Sequence, residues 1–210
     1  MGIFKKLKKA ISKNDNYLDR DFYFENILNN YKHLDAYFSL LRLENKNKIT
    51  TTVPIAYFSN YDLHNSKEYF IKKYGKPDHT AINHFEIGKI KILFYRTHLS
   101  NQKVKLELHF LNKRLIMVSY TFSHLDHNSE KQHPLDVLQQ KYLVEKEITP
   151  SDHYIEDPNK AKIVIMDSVE FKVYYLHNTL QELMNSKLKK GIISTNYPDI
   201  SDEKNLFEEL

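Results

Sequence analysis

Glu170 and Lys172 stand two positions apart in Val169-Glu170-Phe171-Lys172, the spacing at which a β-strand projects both side chains from one face. Acidic residues lie upstream at Asp152 and Asp157, and the order helix, strands, helix fits around them. A second group that could do chemistry is His124, Asp126, His127 and His133, with His109 on the preceding segment. Imidazole and carboxylate suit zinc or a similar ion. The helical His-Glu-x-x-His pair is missing, and the group lies in a polar connector where solvated histidines are ordinary, so no metal or other cofactor is expected. Ser123 and Asp126 beside His124 are too close in sequence for a catalytic triad, which is assembled across a fold.

Asp157 followed by Glu170-x-Lys172 resembles the Asp…Glu-x-Lys signature of the restriction-endonuclease-like nuclease superfamily. The resemblance implies Asp157 and Glu170 as metal ligands and Lys172 as the polar partner that positions or activates water. Here the Pro-Asp of that pattern is reversed to Asp157-Pro158, and Glu170 opens its strand directly after a turn. Glu-x-Lys on the wet face of an antiparallel strand is also the pattern of a cross-strand ion pair. The ion pair is the expected state, with the nuclease as the alternative.

Other chemistries cannot be written in this chain. It has 210 residues and no cysteine, which removes disulfides, thiol nucleophiles and cysteine-held metals. Its four glycines, Gly2, Gly75, Gly88 and Gly191, are too far apart for a P-loop, a dinucleotide fingerprint or a nucleophile elbow. Apolar residues make up 41% of the chain, without a run long enough for a membrane-spanning helix.

The formal charge is +4, carried by 27 lysines and only four arginines. Specific readers of nucleic acid lean on arginine forks, so this balance argues against a nucleic-acid partner. Lys5, Lys6, Lys8, Lys9 and Lys13 crowd the N-terminus, where Ile3, Leu7 and Ile11 recur at helical spacing. A packed starter helix and a membrane-surface anchor both fit that pattern. The C-terminal end is acidic.

The elements that must position these residues follow from periodicity. Asp21 caps a long helix to about Leu43, with Phe24, Ile27, Leu28, Tyr31, Leu34, Phe38 and Leu41 on one face. A threonine run before Val53 forms an edge strand, and a short helix opens near Asn65-Ser66 and stops at Gly75. Three alternating runs, Ile90–Phe94, Val104–Phe110 and Leu115–Phe122, form an antiparallel meander with a wet face carrying Lys105, Glu107 and His109. Pro134 opens another helix. Strands near Ala161–Met166 and Val169–Leu176 and a last helix capped by Asn178 follow.

Helix-then-strands thus occurs twice. Lys73-Tyr74 precedes Lys141-Tyr142 by 68 residues, and Lys89–Ile92 precedes Lys160–Ile163 by 71, which points to a degenerate tandem repeat. The Tyr74-Gly75-Lys76-Pro77 helix stop before a meander is similar to small bacterial binding modules of the beta-lactamase-inhibitor-like fold.

The expected fold is α+β, an antiparallel meander sheet or sheets with helices on one face. Residues 1–20 form a basic segment, 21–193 one compact domain with a possible internal boundary near 123–133, and 194–210 an acidic tail. The expected function is a non-enzymatic, cytoplasmic bacterial module, immunity- or adaptor-like, that binds another protein. Tyr57, Tyr61 and Tyr95 are its candidate exposed contacts. The nuclease and the membrane-surface protein remain as alternatives.

Overall fold

Alternating apolar residues build one eight-stranded sheet. The computed structural model describes residues 24, 28–57, 66–99, 102–122, 125 and 128–189. The strands are β1 (Asn47–Thr50), β2 (His79–Phe85), β3 (Gly88–Leu99), β4 (Gln102–Leu111), β5 (Arg114–Phe122), β6 (His153–Glu156), β7 (Lys162–Asp167) and β8 (Phe171–Leu176). They lie in the order β1-β6-β7-β8-β5-β4-β3-β2. Every neighbouring pair is antiparallel except β1 with β6, so the sheet is mixed rather than a pure meander. Strands from both sides of 123–133 share it, because β5 pairs β8 from Met117↔Leu176 to Phe122↔Phe171.

The described helices are α1 (Asp35–Ser39), α2 (Lys67–Tyr74), α3 (Asn128–Lys141) and α4 (Asn178–Lys189). They cover both faces of the sheet, not one. Leu93, Leu106, Val118 and Val173 pack under Phe70 of α2 and under Leu135, Leu138 and Tyr142 at α3. The alternate residues Ile92, Phe94, Met117 and Leu176 pack under Phe24, Tyr31, Tyr37 and Phe38, with Leu180 of α4. β3, β4, β5 and β8 therefore spend successive side chains on opposite cores.

Local chemistry sets the boundaries. The Ser66 hydroxyl accepts the Tyr69 N–H at 3.2 Å and caps α2. The expected long helix to Leu43 is interrupted, since Tyr31 N–H reaches Leu28 O and Tyr37 N–H reaches Leu34 O in three-residue turns. That break lets Tyr31 and Tyr37 both point at the sheet. Pro134 lies inside α3 rather than in its first turn.

The β4–β5 turn carries Asn112 and Lys113 at φ 48° and 75°, the positive values a two-residue hairpin requires. The Asn112 carboxamide folds over Gly88 and accepts the Lys89 N–H at 3.3 Å. Gly88 has φ 125°, and a Cβ there would stand 2.5 Å from the Asn112 amide nitrogen. Gly88→Ala is therefore expected to cost about 1–3 kcal/mol, visible as a lower urea midpoint with an unchanged slope.

Candidate functional site

Asp157 directly follows β6 and is a structural carboxylate. It is 3% exposed, and its Oδ1 accepts the N–H groups of Asn159 (2.8 Å) and Ala161 (2.9 Å) while Oδ2 accepts that of Ile55 (2.8 Å). Asp157-Pro158-Asn159-Lys160 is a tight turn, closed by Lys160 N–H on Asp157 O, with Lys160 at φ 65°. Aspartate followed by proline is what such a turn favours. Glu170 lies in the turn at the other end of β7, which connects to β8. Six residues of β7 at about 3.3 Å each put Asp157 and Glu170 roughly 20 Å apart. The structure thus does not bring the nuclease triad together.

Glu170 instead forms an ion triplet. Its two oxygens meet Lys105 Nζ and Lys172 Nζ, both at 3.0 Å, with Lys105↔Thr121↔Lys172 in register across β4, β5 and β8. Partial burial pushes the Glu170 carboxyl upward, but the hydrogen bonds and charges of Lys172 and Lys105 outweigh it and hold it below the usual range.

The other predicted residues fare differently. His124, Asp126, His127, Tyr61 and Lys5, Lys6, Lys8, Lys9 and Lys13 lie outside the described residues. His133 is exposed on α3, and among the described residues no three histidines or acids gather as a metal site. Tyr95 is not an exposed contact: it is 4% exposed, packed 5.6 Å from Tyr74 between ring centroids. Tyr57 turns inward too, its hydroxyl hydrogen-bonded to that of Tyr120 and its ring edge-on to Tyr175. Burial raises both phenols of the Tyr57–Tyr120 pair. In a 41% apolar chain with a two-sided sheet, tyrosine is used as core filler, with its hydroxyl paired at Tyr57 and Tyr120 and left without a hydrogen-bond partner at Tyr95.

The face expected to be wet holds a buried polar chain. Glu107 is 5% exposed and His109 fully buried beneath the segment around α1. Tyr31 OH donates to Glu107 Oε2 at 2.9 Å, His109 Nε2 lies 3.2 Å from the same oxygen, and Tyr37 OH lies 3.0 Å from His109 Nδ1. Burial pulls His109 below the ordinary imidazole range, against the upward pull of Glu107. A neutral ring with the proton on Nε2 satisfies all three contacts, because Glu107 then accepts and Tyr37 donates. Alternation places Glu107 and His109 on one side of β4, but nothing local says that Tyr31 and Tyr37 will cover them.

One surface stands out for association. β2 ends the sheet, and among the described residues no strand pairs with its outer side. Its sequence, His79-Thr80-Ala81-Ile82-Asn83-His84-Phe85, holds no Lys, Arg, Asp, Glu or Pro, and it pairs with β3 over seven residues without a register shift. Thr80 and His84 are exposed and Ile82 is 42% exposed, so the outward row is uncharged. The opposite edge, β1, has only four residues and carries Lys48, paired with Glu156 at 3.5 Å. Comparison with protein-family models, curated proteins and solved structures gives no match. The functional reading therefore rests on this chain's own surfaces.

Proposed function

We propose that this protein is a non-enzymatic protein-binding module that recruits its partner by strand addition at β2, as an adaptor- or immunity-like protein of the bacterial cytoplasm. The observation that carries the reading is the undefended β2 edge. Folded proteins block open edges with lysine, proline, bulges or very short strands, because a free row of N–H and C=O groups templates pairing with other chains. β2 has none of these devices, and its Thr80, Ile82 and Phe85 favour extended structure. An edge left open in this way suits an extended partner segment whose main chain supplies the affinity.

The test is a double variant, Thr80→Lys with Ile82→Lys, at two exposed positions outside both cores. Wild-type protein is expected to retain one stoichiometric protein partner from extracts of its source cell, and the variant to lose at least tenfold of that capture with unchanged circular dichroism. Equal capture by both proteins, or no protein captured by either, overturns strand addition at β2.

The tandem repeat belongs to the same proposal. A twofold relation between β3-β4-β5 and β6-β7-β8 is supported by the strand order, since β5 and β8 pair antiparallel at its centre. It is supported too by α2 and α3 packing on one face. Lys73-Tyr74 and Lys141-Tyr142 then close equivalent helices. Lys89–Ile92 and Lys160–Ile163 do not fit, because they fall on β3 and at β7, which that relation does not exchange. A duplicated sheet of this kind offers two edges, of which only β2 is long and uncharged.

A further inference from the structure

We propose that the cavity over Glu107 binds a small primary-ammonium ligand, a site separate from the β2 edge. The cavity has a volume of about 400 Å³ and opens between the segment around α1 and the sheet, with Glu107, Tyr31, Tyr174, Thr121 and Lys172 among its walls. Pockets of that size take molecules of a few to some twenty heavy atoms.

Three observations set the ligand chemistry. Both hydrogen bonds to Glu107 fall on Oε2, from Tyr31 and His109, which leaves Oε1 without a protein donor among the described residues. The ring beside it is neutral and brings no positive charge to offset a buried carboxylate. Of the neighbouring cations, Lys172 is in the wall, and both it and Lys105 pair with Glu170.

Glu107↔Ser119↔Tyr174 are in register across β4, β5 and β8, so the three side chains form one row. Ser119 is 1% exposed within that row, while Glu107 and Tyr174 line the cavity. Tyrosine side chains beside a carboxylate favour an organic cation. The ammonium group brings three N–H donors. Glu107 Oε1 accepts one of them, and the alkyl portion lies along Tyr31, Tyr174 and Met166. Metal ions fit less well, because the row supplies one carboxylate and no second acid.

The test is calorimetric titration of the full chain with n-butylamine, with 1-butanol and butyrate as neutral and anionic analogues of the same length. A ligand of five heavy atoms, well used, reaches a Kd on the order of 1 mM. n-Butylamine is expected to bind in that range, and the two analogues at least tenfold more weakly. Glu107→Gln is expected to weaken amine binding at least tenfold. Met166→Ala keeps the carboxylate, removes one wall of the cavity at a 40% exposed position and is expected to weaken amine binding about threefold, so the proposal stays testable if Glu107→Gln folds poorly. Ligand-to-protein nuclear Overhauser contacts from the butyl chain to Tyr31 and Tyr174 are the direct readout of place. No binding of n-butylamine, equal binding of 1-butanol, or contacts elsewhere overturns the site.

Discussion

Asp157→Ala is expected to destabilise the protein by about 3–5 kcal/mol. The carboxylate accepts three main-chain N–H groups, from Ile55, Asn159 and Ala161, at 2.8–2.9 Å. Ile55 and Ala161 are themselves buried, at 0% and 1% exposure, so water cannot replace the lost acceptor. One residue thereby ties the β6–β7 turn to the chain that crosses over from β1. In a chain of this length, each kcal/mol moves the melting temperature by about 2–4 °C, so the loss is on the order of 10 °C. Asp157→Asn separates the contacts. Its remaining oxygen can still serve Asn159 and Ala161, while its amide meets the Ile55 N–H donor to donor, so roughly half of the loss should be recovered. Thermal melts of the two variants check this. If Asp157→Ala melts within a degree or two of wild type, the carboxylate is not structural, and the resemblance to a metal-ligand acid regains force.

The same turn shows where local sequence stops being informative. Asp157-Pro158 is at once a turn signature and a reversed form of a nuclease motif, and only the long-range Ile55 contact tells them apart. Strict alternation in Val104–Phe110 marks β4 correctly, yet alternation says which side chains share a face and not which face meets water. Lys105, Glu107 and His109 do share a face, but Tyr31 and Tyr37 cover the last two because the preceding helix breaks between Leu28 and Leu34. β2 and β6 carry little local signal. His79–Phe85 is diluted by two histidines and an asparagine, and His153–Glu156 has only four residues. The parallel pairing of β1 with β6 joins segments about a hundred residues apart and leaves no trace in either. The strand that carries the proposed function is thus one of those the sequence hides. Its histidines and asparagine weaken the strand signal, while its want of charge and proline leaves the edge open.

Acid is expected to weaken the fold from about pH 6.5 downward, through His177. This side chain is 7% exposed at the start of α4, and burial pulls its pKa down to about 4. Its Nδ1 accepts the Thr179 N–H at 3.1 Å and lies 2.8 Å from Thr179 Oγ1, so it serves as a helix cap. A proton on Nδ1 would turn that acceptor into a donor facing an N–H. The unfolded chain binds the proton at about pH 6.5 and the folded chain only near 4, so between these values the unfolded state binds more protons. Stability is therefore complete above pH 6.5 and falls as the pH drops toward 4, by up to about 3 kcal/mol. His109, held low by burial, adds in the same direction. Glu170, held below the usual carboxylate range by its lysines, loses its contribution only at lower pH, so the two effects separate. His177→Asn supplies an oxygen acceptor that does not titrate and suits a helix N-terminus. Urea midpoints at pH 7, 6 and 5 should fall steeply for wild type and much less for the asparagine variant, with the residual slope reporting His109. An identical slope in both proteins would place the acid sensitivity elsewhere and leave His177 as a cap without a titration role.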